Sequence, residues 1–288
     1  MSAATKAEAL KKLNAFAVKI GYPDKWKDYS ALTIGRESYL NNLLAARVWE
    51  SKFNLSKFGR PVDRGEWGMT PPTVNAYYNA SMNDITFSAG ILQPPFYDPK
   101  ADDAVNYGGI GAVIGHEMTH GFDDQGRQYD AQGNLRDWWT KEDGERFNAR
   151  AAVVGKQFDA FSPLDSMHVN GQLTMGENLA DLGGLTIAYA AFEKTPQAKA
   201  QTKIDGFTPE QRFFLSWAQV WHSNSWAQVW HSNVRPEVLR EQVQTDPHAP
   251  EQFRTIGPLQ NMPEFYQAFG CREGAKMMRA QAERAKIW

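Results

Sequence analysis

The sequence predicts an α+β fold, predominantly helical, with a small sheet beside one buried helix. Three observations lead there. Apolar residues recur at helical spacing through most of the 288 residues. Two short β-type stretches, residues 75–78 and 84–87, stand close together before the Gln93-Pro94-Pro95 break. Just after that break, Ile110, Val113, Ile114 and Met118 share a helical pattern containing His116-Glu117-Met118-Thr119-His120.

In chain order, residues 6–20 read as a helix with Leu10, Leu13, Phe16, Ala17 and Ile20 on one side, stopped by Gly21 and Pro23. A second helix covers roughly 36–57, and the two strands and the buried helix follow. Glycines 108, 109, 111 and 115 precede or interrupt that helix at about 1 kcal/mol each against alanine, a cost a chain tolerates where another backbone approaches closely. A turn-rich stretch, 125–139, leads to a long helix at Lys141–Asp159 and a loop at 162–170. The next helix begins near Gly176 and runs to about Lys194. After a polar connector, 195–205, the chain from 209 to its end reads as mostly helical.

The chemistry starts from the two histidines. Residues i and i+4 of a helix share a face, so His116 and His120 can aim ring nitrogens at one point, with Glu117 at the edge of that face. Zinc suits this set: two imidazoles, a third protein ligand and one position for water, whose proton the glutamate can accept. The pattern alone also arises by chance on amphipathic helices, so its setting in a buried, glycine-flanked helix matters. Downstream, Gly176-Glu177-Asn178-Leu179-Ala180-Asp181 again puts two acids four apart. Taken alone such a pair is a solvated face. Beside the histidine motif, Glu177 can complete a His₂Glu site, and Asp181 can accept a hydrogen bond from the far nitrogen of a ligating histidine.

These stretches resemble the catalytic region of the neprilysin family of zinc metallopeptidases, which includes endothelin-converting enzymes and bacterial oligoendopeptidases. The resemblance rests on ordered blocks: Val74-Asn75-Ala76-Tyr77-Tyr78, Ala89-Gly90-Ile91-Leu92-Gln93-Pro94-Pro95-Phe96, and Asn106-Tyr107-Gly108-Gly109-Ile110-Gly111. The motif block through Gly121-Phe122-Asp123-Asp124 follows, then the Glu177 block. Arg235-Pro236-Glu237, Thr245-Asp246-Pro247-His248-Ala249-Pro250, Phe253-Arg254 and the terminal Trp288 complete the series. The resemblance implies a thermolysin-like zincin domain over residues 66–288, preceded by a helical lead-in at 1–65. It implies one zinc ion held by His116, His120 and Glu177, with Glu117 as general base and Asp181 orienting His116. His248 would support the oxyanion, Arg254 would bind a substrate carbonyl, and Asn75 and Ala76 would hold the substrate backbone as an added strand. The roles of His248 and Arg254 rest on the resemblance alone. Its implied substrates are oligopeptides, cut on the amino side of hydrophobic residues.

Composition fits this. A net charge of −2 and a pI near 6.3 give no electrostatic footprint for nucleic acid or an anionic membrane. No apolar run approaches the roughly 18 residues of a membrane span, and the first residues lack the apolar stretch of a signal peptide. With one cysteine, Cys271, no intrachain disulfide can form. Animal relatives are cystine-rich, so the resemblance points to a bacterial member of a periplasmic, secreted or cell-envelope class. Whole family members are more than twice as long and carry a further helical domain that covers the site.

One segment departs from the family pattern. Ser216-Trp-Ala-Gln-Val-Trp-His-Ser-Asn224 is repeated at once as residues 225–233. Nine added helical residues displace the downstream chain by about 13.5 Å and turn it by about half a revolution. That predicts displacement of His248 and Arg254 unless the extra copy loops out, and leaves a competing reading: a zinc-binding chain impaired in catalysis, or a peptide-binding module. An accessory metal pair at His222 and His231 is disfavoured, since the same half turn separates their faces.

Overall fold

The computed structural model describes residues 1–164, 166–223 and 236–287. The second copy of the repeat, with His231, and the terminal Trp288 lie outside them, as do Arg235 and the side chain of His222.

The chain opens with α1 (Ala3–Asn14), capped by the Ser2 side chain, which accepts from the Thr5 amide. The helix expected to continue to Ile20 stops at Asn14, and Ala17–Gly21 form strand β1. Val18, Lys19 and Ile20 alternate between faces, and their backbone pairs in parallel with a strand more than sixty residues downstream. That pairing is non-local, so helical spacing of Leu10, Leu13 and Phe16 could not reveal it. Helix α2 (Tyr39–Leu55) follows, with none of its residues buried.

Strands β2 (Ala76–Asn79) and β3 (Asp84–Ser88) form an antiparallel hairpin, and the sheet order is β1-β3-β2. The central strand, β3, is buried on both faces. Ile85 and Phe87 pack with Ile110 and Met118 of the motif-bearing helix. On the opposite face Lys19 donates to Asp84 Oδ2 at 2.6 Å and Ser88 Oγ to the Asn75 carbonyl at 2.8 Å.

Short helix α3 (Asp103–Asn106) runs through a π-turn, Tyr107–Gly111, into α4 (Ala112–His120). The π-turn directs the Ile110 amide to the Phe96 carbonyl, 2.7 Å away. Ile114, expected in the core, is 39% exposed. Helix α5 (Lys141–Asp159) has the expected span, is capped by Thr140, and buries Phe147, Ala151, Val154 and Phe158. Helix α6 (Met175–Phe192) is buried almost all round.

The connector expected at 195–205 contains a short helix, α7 (Pro196–Ala200), started by the Thr195 cap and a proline in its first turn. Helices α8 (Pro209–Ser223), α9 (Pro236–Thr245), α10 (Glu251–Leu259) and α11 (Pro263–Phe269) follow. The helical run expected to the end of the chain stops at Gly270, whose positive φ of 61° closes α11. Among the described residues, only a single 3₁₀ turn, Gln281–Glu283, follows. The main core joins α5, α6, α8, α10 and α11 through Phe158, Leu179, Phe192, Phe213, Phe253 and Phe265, with half-buried Cys271 at its edge.

The sheet therefore supports one side of α4 and the helical core supports α6 behind it. Helices α4 and α6 touch backbone to backbone: a Cβ on Gly115 would lie 2.6 Å from the Gly184 carbonyl, and one on Gly184 would lie 2.4 Å from the His116 amide nitrogen. Two glycines are what let these helices approach closely enough to share a site.

Candidate metal centre

His116 and His120 project from the last two turns of α4 towards α6. Their rings meet edge to face, with centroids 4.5 Å apart. His116 Nδ1 donates to Asp181 Oδ1 at 2.8 Å and His120 Nδ1 to Asp123 Oδ2 at 2.7 Å. A carboxylate only accepts, so each Nδ1 carries a proton, and Nε2 is the atom that each neutral ring can offer to a metal ion. Those two Nε2 atoms lie 3.0 Å apart. Glu177 closes the triangle, with Oε2 3.3 Å from His116 Nε2 and Oε1 3.4 Å from His120 Nε2.

Three lone-pair-bearing atoms this close repel one another unless a metal ion or protons lie among them. A tetrahedral zinc ion with bonds of about 2.0–2.1 Å sets neighbouring donors roughly 3.3 Å apart, close to the observed 3.0, 3.3 and 3.4 Å. The donor set therefore fits zinc. Glu117 is buried, and one of its oxygens lies with the histidine nitrogens in a cluster spanning no more than 4.8 Å.

The surroundings explain why the site favours positive charge. Four carboxyl groups, Glu117, Asp123, Glu177 and Asp181, converge on a region whose permanent cation is Arg254. Burial opposes charge on His116, as does His120, but Asp181 and Glu177 hold its imidazole up at about 9. Burial is likewise outweighed at His120, where Asp123 and Glu177 hold the ring well above the usual histidine range. Burial also works against Glu177 and Asp181, yet the Arg254 guanidinium keeps both ionised below their usual range. For Glu117, burial wins and pushes the carboxyl up, with the two imidazoles pulling the other way. Without a metal ion, protons on the imidazoles supply the missing charge.

Arg254 is 8% exposed and reaches in from α10. Its Nε donates to Asp181 Oδ2 at 2.8 Å, and Nη2 donates to Asp181 Oδ1 at 2.8 Å and Glu177 Oε2 at 3.1 Å. The guanidinium lies 4.3 Å from the centre of the Trp221 ring. His248, half exposed, brings Nε2 to 3.3 Å from Glu177 Oε1, while its Nδ1 faces Asp246 Oδ1 at 2.7 Å. Both groups thus reach Glu177, and the displacement expected from the repeat does not extend to them. Ala76 is buried at the start of β2, an edge strand, and the carbonyl of Asn75 is taken by Ser88.

Sequence reasoning gave Asp123 no role, although it holds His120 as Asp181 holds His116. Its position three residues after a candidate ligand, at the end of the helix, was the available signal. The shared hold of Arg254 on Asp181 and Glu177 joins residues 73 and 77 positions apart, and no local pattern encodes it.

Residues 75–285 match Peptidase family M13. An endothelin-converting enzyme homolog of Locusta migratoria is 43% identical over all of this chain and 39% of its own length. Endothelin-converting enzyme 1 of Homo sapiens is 40% identical over 96% of this chain and 36% of its own length. Among solved structures, the Mycobacterium tuberculosis zinc metalloprotease ZMP1 in complex with an inhibitor superposes with a TM-score of 0.90 at 45% identity, covering all of this chain and 43% of that one. PepO from Lactobacillus rhamnosis gives 0.87 at 37% identity, again over all of this chain and 43% of that one. The chain spans about two fifths of the length of these relatives. It belongs to peptidase family M13.

Proposed function

We propose that this member of peptidase family M13 is a zinc-dependent endopeptidase that hydrolyses oligopeptides, on the amino side of hydrophobic residues. The observation that carries the reading is the convergence of two histidine Nε2 atoms and the Glu177 carboxylate, with each Nδ1 fixed by an aspartate. His116, His120 and Glu177 would hold the ion. Zinc, when bound, supplies a Lewis acid that acidifies water and polarises a carbonyl.

The residues of the chain supply the rest. Glu117 accepts a proton from the attacking water, for which its buried, charge-averse setting suits it. As the C–N bond breaks, the same carboxyl passes that proton to the departing nitrogen, leaving a carboxylic acid and an amine, which settle as carboxylate and ammonium. As an imidazolium, a form that Glu177 and Asp246 favour against burial, His248 can donate from Nε2 to the oxyanion while Nδ1 donates to Asp246. Asp181 and Asp123 keep the imidazoles oriented and Arg254 keeps Glu177 ionised. Any contact of Arg254 with a substrate carbonyl falls to Nη1, which makes none of its three bonds to Glu177 and Asp181. Edge strand β2, with Asn75 and Ala76 at its start, suits pairing with an extended peptide.

Hydrolysis of a quenched fluorescent peptide by zinc-loaded protein tests this. Turnover should vanish on chelation and in Glu117→Gln, which should still bind one zinc. Stoichiometric zinc without turnover in the unaltered protein would overturn the catalytic reading and leave a metal-binding chain.

A further inference from the structure

Lys12 is 1% exposed, one of the most deeply buried side chains in the molecule, and forms no ion pair among the described residues. It lies on α1, far in sequence from the metal centre. Its Nζ donates to the Gly126 carbonyl at 2.6 Å and the Tyr129 carbonyl at 2.7 Å. The ammonium also stands 5.6 Å from the centre of the Tyr78 ring and 5.7 Å from that of Phe122. Burial lowers its pKa to about 8, with Asp123 and Asp130 working the other way. A methionine would fill such a site at less cost in desolvation, so the charge has a use there.

The carbonyls it grips belong to the loop that leaves the C-terminal end of α4. In that loop the Gly126 amide donates to Asp123 Oδ1 at 2.6 Å, and the Gln125 amide donates to the same oxygen at 2.9 Å. The other oxygen, Oδ2, takes the His120 Nδ1 proton. Gly126 is pressed against the helix end so closely that a Cβ would fall 1.7 Å from the His120 carbonyl. The Gly126 carbonyl also takes the Tyr129 amide at 3.1 Å and the Tyr129 carbonyl takes Trp138 Nε1 at 3.0 Å, and Lys12 adds the tie from these two carbonyls to α1.

We propose that Lys12 is a positioning residue of the metal centre: by fixing the Gly126 and Tyr129 carbonyls it holds the loop amides that orient Asp123, and through Asp123 the ring of His120. This rests on the zinc reading above. It gives the first helix of the chain a part in the metal site without contact with metal or substrate.

Zinc affinity by chelator competition, and the visible spectrum of the cobalt-substituted protein, test this in Lys12→Met, Asp123→Asn and the double variant. Lys12→Met should weaken zinc binding about tenfold, the low end for outer-shell partners, and shift the cobalt bands. In the Asp123→Asn background the same change should cost less than about twofold, since the link is already broken. Thr5→Val, which removes a buried hydroxyl of α1 bonded to Ser2 and Thr140, should leave zinc affinity within about twofold while lowering the melting temperature. Should Lys12→Met fail to fold, Lys12→Gln carries the same comparison. Unaltered affinity in the Lys12 variant, or full additivity with Asp123→Asn, would overturn the role. Absence of stoichiometric zinc on the unaltered protein would overturn the metal reading and this role with it.

Discussion

Asp181 and Asp123 look equivalent, since each fixes one imidazole, but their partners differ. Asp181 also takes two bonds from a buried guanidinium, whereas the second oxygen of Asp123 takes two loop amides. Asp181→Ala leaves Arg254 buried with Glu177 as its remaining carboxylate partner. It should cost about 3–5 kcal/mol of stability in metal-free protein as well as zinc affinity. Asp123→Asn should weaken zinc by about 10–100-fold with a smaller loss of stability. Thermal denaturation and chelator competition on both variants separate the two cases. Lys12 adds a pH dependence. Its folded pKa of about 8 lies below the usual lysine value, so between about pH 8 and 10.5 the unfolded chain binds more protons. The stability of the unaltered protein minus that of Lys12→Met should therefore rise with pH across that window and be flat below it. Denaturant midpoints at pH 7.5 and 10 check the sign.

At the scale of elements, α4 and α6 form the centre because two glycines let their backbones touch. Gly184→Ala pushes a methyl group against the His116 amide nitrogen. Overpacking at such a contact costs about 1–3 kcal/mol, and here the strain falls on the residue that carries a ligand. A lowered denaturant midpoint together with weakened zinc binding is the expected pair of results. A lowered midpoint with unchanged zinc would mean that the helix pair yields without moving His116. The glycines of the sequence motif serve different ends: Gly108 and Gly109 would meet the Phe213 and Phe96 carbonyls at 2.1 and 2.5 Å, whereas the nearest atom to a Cβ on Gly111 is the Asn106 carbonyl oxygen of its own turn, at 3.4 Å.

Across the whole molecule, order is unevenly supported. Helix α6 lies in the core, whereas α2 buries no residue and exposes Tyr39 by 82%, Leu40 by 60% and Leu55 by 73%. Local opening free energies follow burial. Amide hydrogen exchange should be slower in α6 than in α2 by on the order of a hundredfold or more, about 2.7 kcal/mol in opening free energy. Equal protection of the two helices would show that α2 is held by more than its own hydrogen bonds. Among the described residues, no helix is long and apolar enough to cross a membrane.

By itself the sequence determined what short-range periodicity can carry: the facing histidines, the Glu177 and Asp181 pair, two short strands close to β2 and β3, and the full span of α5. Each depends on residues a few positions apart, where helix and strand geometry sets which side chains share a face. Only the tertiary structure decided that 17–21 is a strand, since its hydrogen bonds go to β3 rather than to its own neighbours. The same holds for the clamp of Arg254 on Glu177 and Asp181, the approach of His248, and the reach of Lys12 to the loop that follows α4. These contacts join residues from more than sixty to more than a hundred positions apart, and their partners are chosen by packing and by the charge left uncompensated when the helices close.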